Sequence, residues 1–185
     1  MSENLKEWIK DILVAIVIAV IILQFIKPTI VREHSMENTL HQNDYLFVSK
    51  QHYKLLGREP KLGDIIVFQS ELENNFGGNK LLIKRVIAVP GDTIAIHDGY
   101  VVLNGTTIME PYTKDTYTAT EMDEITVPEG QLFCMGDNRQ NSADSRDSRI
   151  GLVDQDTIMG KAVFRLFPFS EIGNIYKNYV YMPLD

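Results

Sequence analysis

A single cysteine, Cys134, in 185 residues excludes an intramolecular disulfide framework. No cluster of Cys or His has zinc spacing, and His34, His41, His52 and His97 are scattered, so no metal is expected. Positive charge is also short. Eighteen Lys and Arg stand against 25 Asp and Glu, a net charge of −7, and a chain this acidic has no general attraction for phosphate backbones. Nucleic acid is therefore not an expected partner. Internal repeats, low-complexity segments and a second long amphipathic helix are missing. With 44% hydrophobic and 23% charged residues, the composition excludes disorder. The length fits one domain with at most a small subdomain.

Long apolar sequence occurs once, over residues 12–26, interrupted only by Gln24. It predicts a helix that Lys27-Pro28 closes, because proline removes a backbone donor and disfavours helix at the residue before it. Three readings compete: a cleaved signal peptide, a buried core helix and a retained membrane anchor. The residues after the run offer no small-x-small cleavage site, and the run has almost no polar face, so the anchor is favoured. Its core spans about 22 Å, less than the roughly 30 Å of a bilayer's hydrocarbon layer. Trp8 and Ile9 can extend it, and Lys6, Lys10 and Lys27 can reach the headgroups. Positive charges on the two sides are nearly balanced, so they leave the orientation open.

Beyond residue 30 the pattern changes to short apolar runs divided by Gly, Pro and Asn. Strands are expected over residues 45–49, 64–69, 81–89, 93–97, 100–103, 131–135 and 162–166. Asp98-Gly99 and Asn104-Gly105 suit two-residue hairpins. A mainly β, antiparallel fold follows, with loops near 72–80 and 114–124 and short helical turns near 36–40 and 154–159.

Three features carry possible chemistry. Lys84 and Arg85 sit inside the apolar run 81–89, where at least one cation is expected to be partly buried; burial would lower a lysine's pKa and make it a base. The bland alternative is an edge strand from which both reach water. Residues 136–149 are dense in Asp, Asn, Ser and Arg, which suits either a polar network or a solvated loop. Ser35 could cap a short helix or act as a nucleophile. His34 is adjacent to it, and adjacent side chains in extended chain point apart, so His34 is not expected to be its base.

Taken in order, Ser35-Met36-Glu37-Asn38-Thr39-Leu40, Gly63-Asp64-Ile65-Ile66-Val67-Phe68, Ile83-Lys84-Arg85-Val86 with Pro90-Gly91-Asp92, and Gly136-Asp137-Asn138-Arg139 through Asp144-Ser145-Arg146 resemble the bacterial type I signal peptidases. The resemblance implies an antiparallel β catalytic domain over residues 28–92 and 128–185, a small β cap subdomain over 93–127, a single transmembrane anchor over 12–27 and a cytoplasmic N-terminus over 1–11. The catalytic domain would lie on the extracellular side of the cell membrane. Carried over by position, Ser35 would be the nucleophile and Lys84 its general base, without a cofactor or metal. Ser142 would hydrogen-bond the Lys84 amine, Asp144 and Arg146 would pair to support that loop, and the Ser35 amide would donate to the oxyanion. Met36, Leu40, Leu82 and Ile83 would form shallow substrate pockets, with a secretory preprotein of Ala-x-Ala type bound as an added strand along residues 81–83.

Some residues depart from the family pattern. Glu33 stands where relatives carry a hydroxyl or glycine, and a carboxylate facing a developing oxyanion is unfavourable, so it is expected to point away. Asn38 and Gln140 replace a usual proline and a frequent aspartate. Two rival readings are a LexA-like self-cleaving protease, which would lack the anchor, and a catalytically impaired assembly factor. A peptidase dedicated to pilus assembly is a further variant.

Overall fold

Helix α1 (Glu3–Phe25) runs directly into β1 (Ile26–Ile30). The structure is a computed structural model that describes residues 3–50, 52–53, 57–74, 76–176 and 182–183, without the side chains of residues 3, 21–23 and 182. The ends of the expected cytoplasmic and catalytic segments, at 1–2 and 184–185, lie outside the described residues. The helix differs from expectation in its limits: it begins within the charged N-terminal stretch and ends at Phe25, so Ile26 and Lys27 are strand rather than anchor. Among the described residues, no helix is long and apolar enough to cross a membrane, so the expectation of a transmembrane helix over residues 12–27 is not borne out. Lys6, Glu7, Lys10 and Asp11 occupy its first half, and the apolar remainder from residue 12 to 25 spans about 21 Å.

The other strands are β2 (Tyr45–Ser49), β3 (Ile65–Glu73), β4 (Asn79–Ala88), β5 (Thr93–His97), β6 (Tyr100–Leu103), β7 (Thr106–Met109), β8 (Met122–Thr126), β9 (Gln131–Met135), β10 (Val153–Asp154), β11 (Ile158–Phe167) and β12 (Met182–Pro183). Among the described residues they form a seven-stranded sheet in the order β1-β2-β11-β3-β4-β9-β10 and a five-stranded sheet in the order β12-β7-β6-β5-β8. Each neighbouring pair is antiparallel. The expected mainly β, antiparallel class is what the chain adopts.

Pro28 sits in β1, at the edge of the larger sheet, the place where a sheet tolerates proline. The turns Asp98-Gly99 and Asn104-Gly105 have positive φ at both positions, the conformation a two-residue hairpin of matching twist requires. They join β5 to β6 and β6 to β7. Residues 93–127 thus supply four strands of the smaller sheet, and β12 completes it from outside that segment.

The larger sheet is buried on both faces, which explains why its central strands read as apolar runs rather than alternating ones. Ile65, Val67 and Ala162 pack on one face with Val31, Met36, Leu40 and Leu46. Ile66, Phe68, Leu82, Val86 and Cys134 pack on the other. A third cluster, with Ile87, Phe133 and Met135 beside Ile94, Ile96, Val101 and Leu103, joins the two sheets.

Candidate active site

Ser35 follows β1 in a loop closed by paired backbone bonds: the Val31 N–H donates to Asp44 O at 2.9 Å, and the Asn43 N–H donates to Val31 O at 2.8 Å. Met36 and Leu40 hold this loop down in the core. Between them is the expected short helical turn, with the Leu40 N–H donating to Met36 O at 2.8 Å, and it does not extend into a helix.

Lys84 lies on β4 opposite Ile66, with 1% of its surface exposed, and its Nζ is 2.7 Å from Ser35 Oγ. Both cations of β4 are buried, but with opposite consequences. Arg85 is met by a carboxylate: its Nε and Nη2 donate to Asp137 Oδ1 and Oδ2 at 2.8 and 2.6 Å, Nη1 donates to Gly63 O, and the guanidinium lies over the Tyr112 ring. Burial alone would lower its pKa, and the paired Asp137 charge raises it instead. Among the described residues, no carboxylate is bonded to Lys84. Burial pulls it down to about 8 from the usual 10.5, against the opposing pull of Asp144, Glu33 and Asp137 and with a smaller push from Lys80.

A third segment clamps the serine from behind. The Asn138 N–H donates to Ser35 O at 3.0 Å and its Nδ2 to His34 O at 3.1 Å, fixing the carbonyls on both sides of the Ser35 amide. That segment is tied into a knot by Asp144, whose Oδ2 accepts the Gly136 N–H at 3.0 Å and pairs with Arg146 at 2.8 Å. Burial raises the Asp144 pKa, but the Arg146 hydrogen bond and charge, with the Gly136 N–H and Ser142, together outweigh it, so the net shift is downward. Arg146 Nη2 also donates to Arg139 O. Gly136 admits no side chain: a Cβ there would run into Ser142 and the Ser35 carbonyl.

In front of Ser35 is a cleft of about 600 Å³. One wall is β1 and the residues after it, including Ile30, Arg32 and Glu33; the other is the start of β4 with Lys80, Leu81 and Ile83. β9 reaches along β4 only to Arg85, opposite Met135, so residues 81–83 bond β3 on one side, without β9 on the other.

The family profile described as "Signal peptidase, peptidase S26" matches residues 5–167. The chain is 37% identical over 181 residues to a signal peptidase I of Bacillus licheniformis, covering 92% of this chain and 93% of that one. It is 38% identical over 177 residues to a probable signal peptidase I-1 of Synechocystis, covering 94% and 88%. The chain belongs to the signal peptidase family, peptidase S26. It is therefore a serine peptidase, a hydrolase. A crystal structure of a signal peptidase I from Enterococcus faecalis is 30% identical and covers 56% of this chain and 97% of its own, with a TM-score of 0.45.

Of the residues the family resemblance singles out, Ser35, Lys84, Asp144 and Arg146 converge as described. Ser142 departs from expectation. Among the described residues no hydrogen bond joins its buried Oγ to Lys84, and its side chain lies instead beside Asp144, whose charged form it favours. Met36 and Ile83 line the cleft, whereas Leu40 and Leu82 do not: Leu40 is wholly buried in the core, and Leu82 packs on the opposite sheet face beside Phe68 and Val86. Leu81 and Ile83, two residues apart and so on one face of β4, line the cleft in place of Leu82. His34 turns from Ser35 to Glu37, with Nδ1 2.5 Å from Oε1. Lys114, from the loop after β7, donates to the other oxygen of that carboxylate at 2.8 Å, and together with His34 holds its pKa near 2. The pairing of Glu37 with Lys114, 77 residues apart, has no local sequence signal. Asn138 does have one, since it lies in the polar segment, but nothing in the spacing assigns it to the Ser35 loop.

Proposed function

We propose that this chain is a membrane-anchored endopeptidase that removes signal peptides from secretory preproteins, cutting after small-x-small sequences with Ser35 as nucleophile and Lys84 as general base. The observation that carries the proposal is the 2.7 Å approach of a buried lysine amine, with no carboxylate bonded to it among the described residues, to the hydroxyl of Ser35. A lysine with a pKa of about 8 is roughly one-tenth free base at pH 7, enough to accept the serine proton as Oγ attacks a carbonyl. The ammonium so formed protonates the leaving amine, and the regenerated amine activates the water that hydrolyses the acyl-enzyme. Among the described residues, nothing bonds the Ser35 N–H, which leaves it to donate to the oxyanion.

Met36, Leu81 and Ile83 give the cleft apolar walls against which small side chains fit, and residues 81–83 offer backbone groups for an added substrate strand. Membrane association rests on α1. Every described side chain of residues 4–20 is exposed, including Leu13, Ile16, Val17 and Val20, so this apolar surface is not covered by the β domain. Family membership is what supports a preprotein as the substrate and the extracellular side as the place of the catalytic domain.

The test is cleavage of an Ala-x-Ala preprotein by the detergent-solubilised full chain. Ser35→Ala and Lys84→Ala are each expected to abolish it, His34→Ala to leave it intact, and the rate to climb between about pH 7 and 9 as Lys84 loses its proton. Full activity in Lys84→Ala, or a flat profile, overturns the assignment.

A further inference from the structure

Glu33 and Lys80 form an ion pair that crosses the mouth of the cleft. Glu33 stands two residues before Ser35 on one wall, and Lys80 stands four residues before Lys84 on the other. Both side chains are substantially exposed, with 46% and 37% of their surface free, and such a pair contributes little to stability. Its position gives it a different consequence.

A carboxylate near Ser35 opposes the chemistry that the site performs. The attack of Ser35 turns a neutral carbonyl oxygen into an anion in a cleft partly shielded from water, where nearby negative charge is costly. Glu33 is also near enough for its charge to act on Lys84, where it favours the ammonium, the form unable to accept a proton. Lys80 counters both effects, since it neutralises Glu33 and its own charge disfavours the Lys84 ammonium. The other charges around Lys84 are Asp144 and Asp137; Lys27, Arg32 and Glu73 complete the charged lining of the cleft.

We propose that Lys80 is a positioning residue for hydrolysis: by holding Glu33 across the cleft it cancels the negative charge this chain carries beside its nucleophile, so that an anionic intermediate can form there. The inference rests on the Ser35–Lys84 reading above. Lys80 and Glu33 form a compensated unit in which removing the cation alone does more harm than removing both charges.

The experiment measures kcat, KM and the pH profile of preprotein cleavage by the full chain in detergent. Lys80→Met is expected to lower kcat by about tenfold with KM changed by less than about twofold, and to move the alkaline-rising limb to higher pH. Lys80→Arg, which keeps the charge, retains kcat. Glu33→Gln moves the limb to lower pH. In Lys80→Met/Glu33→Gln, kcat returns to within about threefold of the parent, a rescue that a structural or purely substrate-binding role for Lys80 would not produce. A double variant as slow as Lys80→Met overturns the proposal, as does a Lys80→Met enzyme with unchanged kcat and pH limb. Activity surviving in Ser35→Ala instead overturns the underlying dyad, and that arm is read without altering Glu33 or Lys80.

Discussion

Lys84 and Arg85 are neighbours on one strand, both buried, and the difference between them is the difference between chemistry and structure. Arg85 meets a bidentate carboxylate, while Lys84 meets a serine hydroxyl. An unmatched buried ammonium is a burden on the fold. The folded-state pKa of about 8 lies below the ordinary 10.5, so the unfolded chain binds the proton more tightly. The penalty is therefore complete below about pH 8, shrinks as pH rises from 8 to 10.5 and is gone above, which makes stability increase with pH over that window. A fall from 10.5 to about 8 corresponds to about 3 kcal/mol, from which the lost Ser35 contact subtracts about 1 kcal/mol. Lys84→Met is accordingly expected to be inactive yet more stable by about 2 kcal/mol at pH 7, with the gain much smaller at pH 10.5. Urea unfolding at the two pH values measures this, and a variant no more stable than the parent at pH 7 contradicts it. The apolar run around Lys84 makes its burial legible in the sequence. Its freedom from a carboxylate was not, because that depends on Asp137 choosing Arg85 from 52 residues away.

Three separate elements meet at Ser35: the loop after β1, strand β4 and the segment after β9. The strands behind them were largely legible, because β2, β4, β5, β6 and β9 are apolar runs bounded by Gly, Pro or Asn. β1 was not: Lys27-Pro28 reads as the end of a helix, and only its pairing with β2 at the sheet edge makes it a strand. β8, with the polar sequence Met-Asp-Glu-Ile-Thr, is defined by its partner β5 rather than by its own pattern. The cleft walls were half legible for a similar reason, since the strand register decides which of Leu81, Leu82 and Ile83 faces outward. The segment after β9 comes close to the Ser35 loop at Gly136, where even a methyl group would press on Ser142 and on the Ser35 carbonyl. Because Asn138 bonds that same carbonyl, displacement there is passed directly to the nucleophile. Gly136→Ala is expected to cut kcat/KM by about a hundredfold while costing about 1–3 kcal/mol of stability. Parallel kinetics and thermal melts check it; a folded variant with parental kcat/KM would show that the loop tolerates the shift.

On the scale of the whole molecule, the helix and the cleft form one continuous piece of chain, because α1 ends at Phe25 and β1, which begins at Ile26, supplies Lys27, Pro28, Thr29 and Ile30 to the cleft wall. A bilayer that holds α1 therefore holds the cleft within a few residues of its surface, where a signal peptide leaving the membrane would first become accessible. The apolar part of α1 is short and charged residues occupy its first half, so lipid binding by the proposed anchor would draw its energy from the exposed apolar side chains. Leu13, Val17 and Val20 lie on one helix face, and each is more than half exposed. Lysine at a buried membrane position costs about 2.5–3.5 kcal/mol, so three such substitutions remove more than a segment of this length can spare. The parent chain is expected to sediment with phospholipid vesicles, and Leu13→Lys/Val17→Lys/Val20→Lys to remain in the supernatant. Since α1 lies outside the catalytic cleft, the triple variant should cleave a soluble Ala-x-Ala peptide at the parental rate while processing a vesicle-embedded preprotein at least about tenfold more slowly. Sedimentation of the triple variant with vesicles would show that another surface holds the chain to lipid. Equal loss on both substrates would show instead that α1 supports the fold of the β domain.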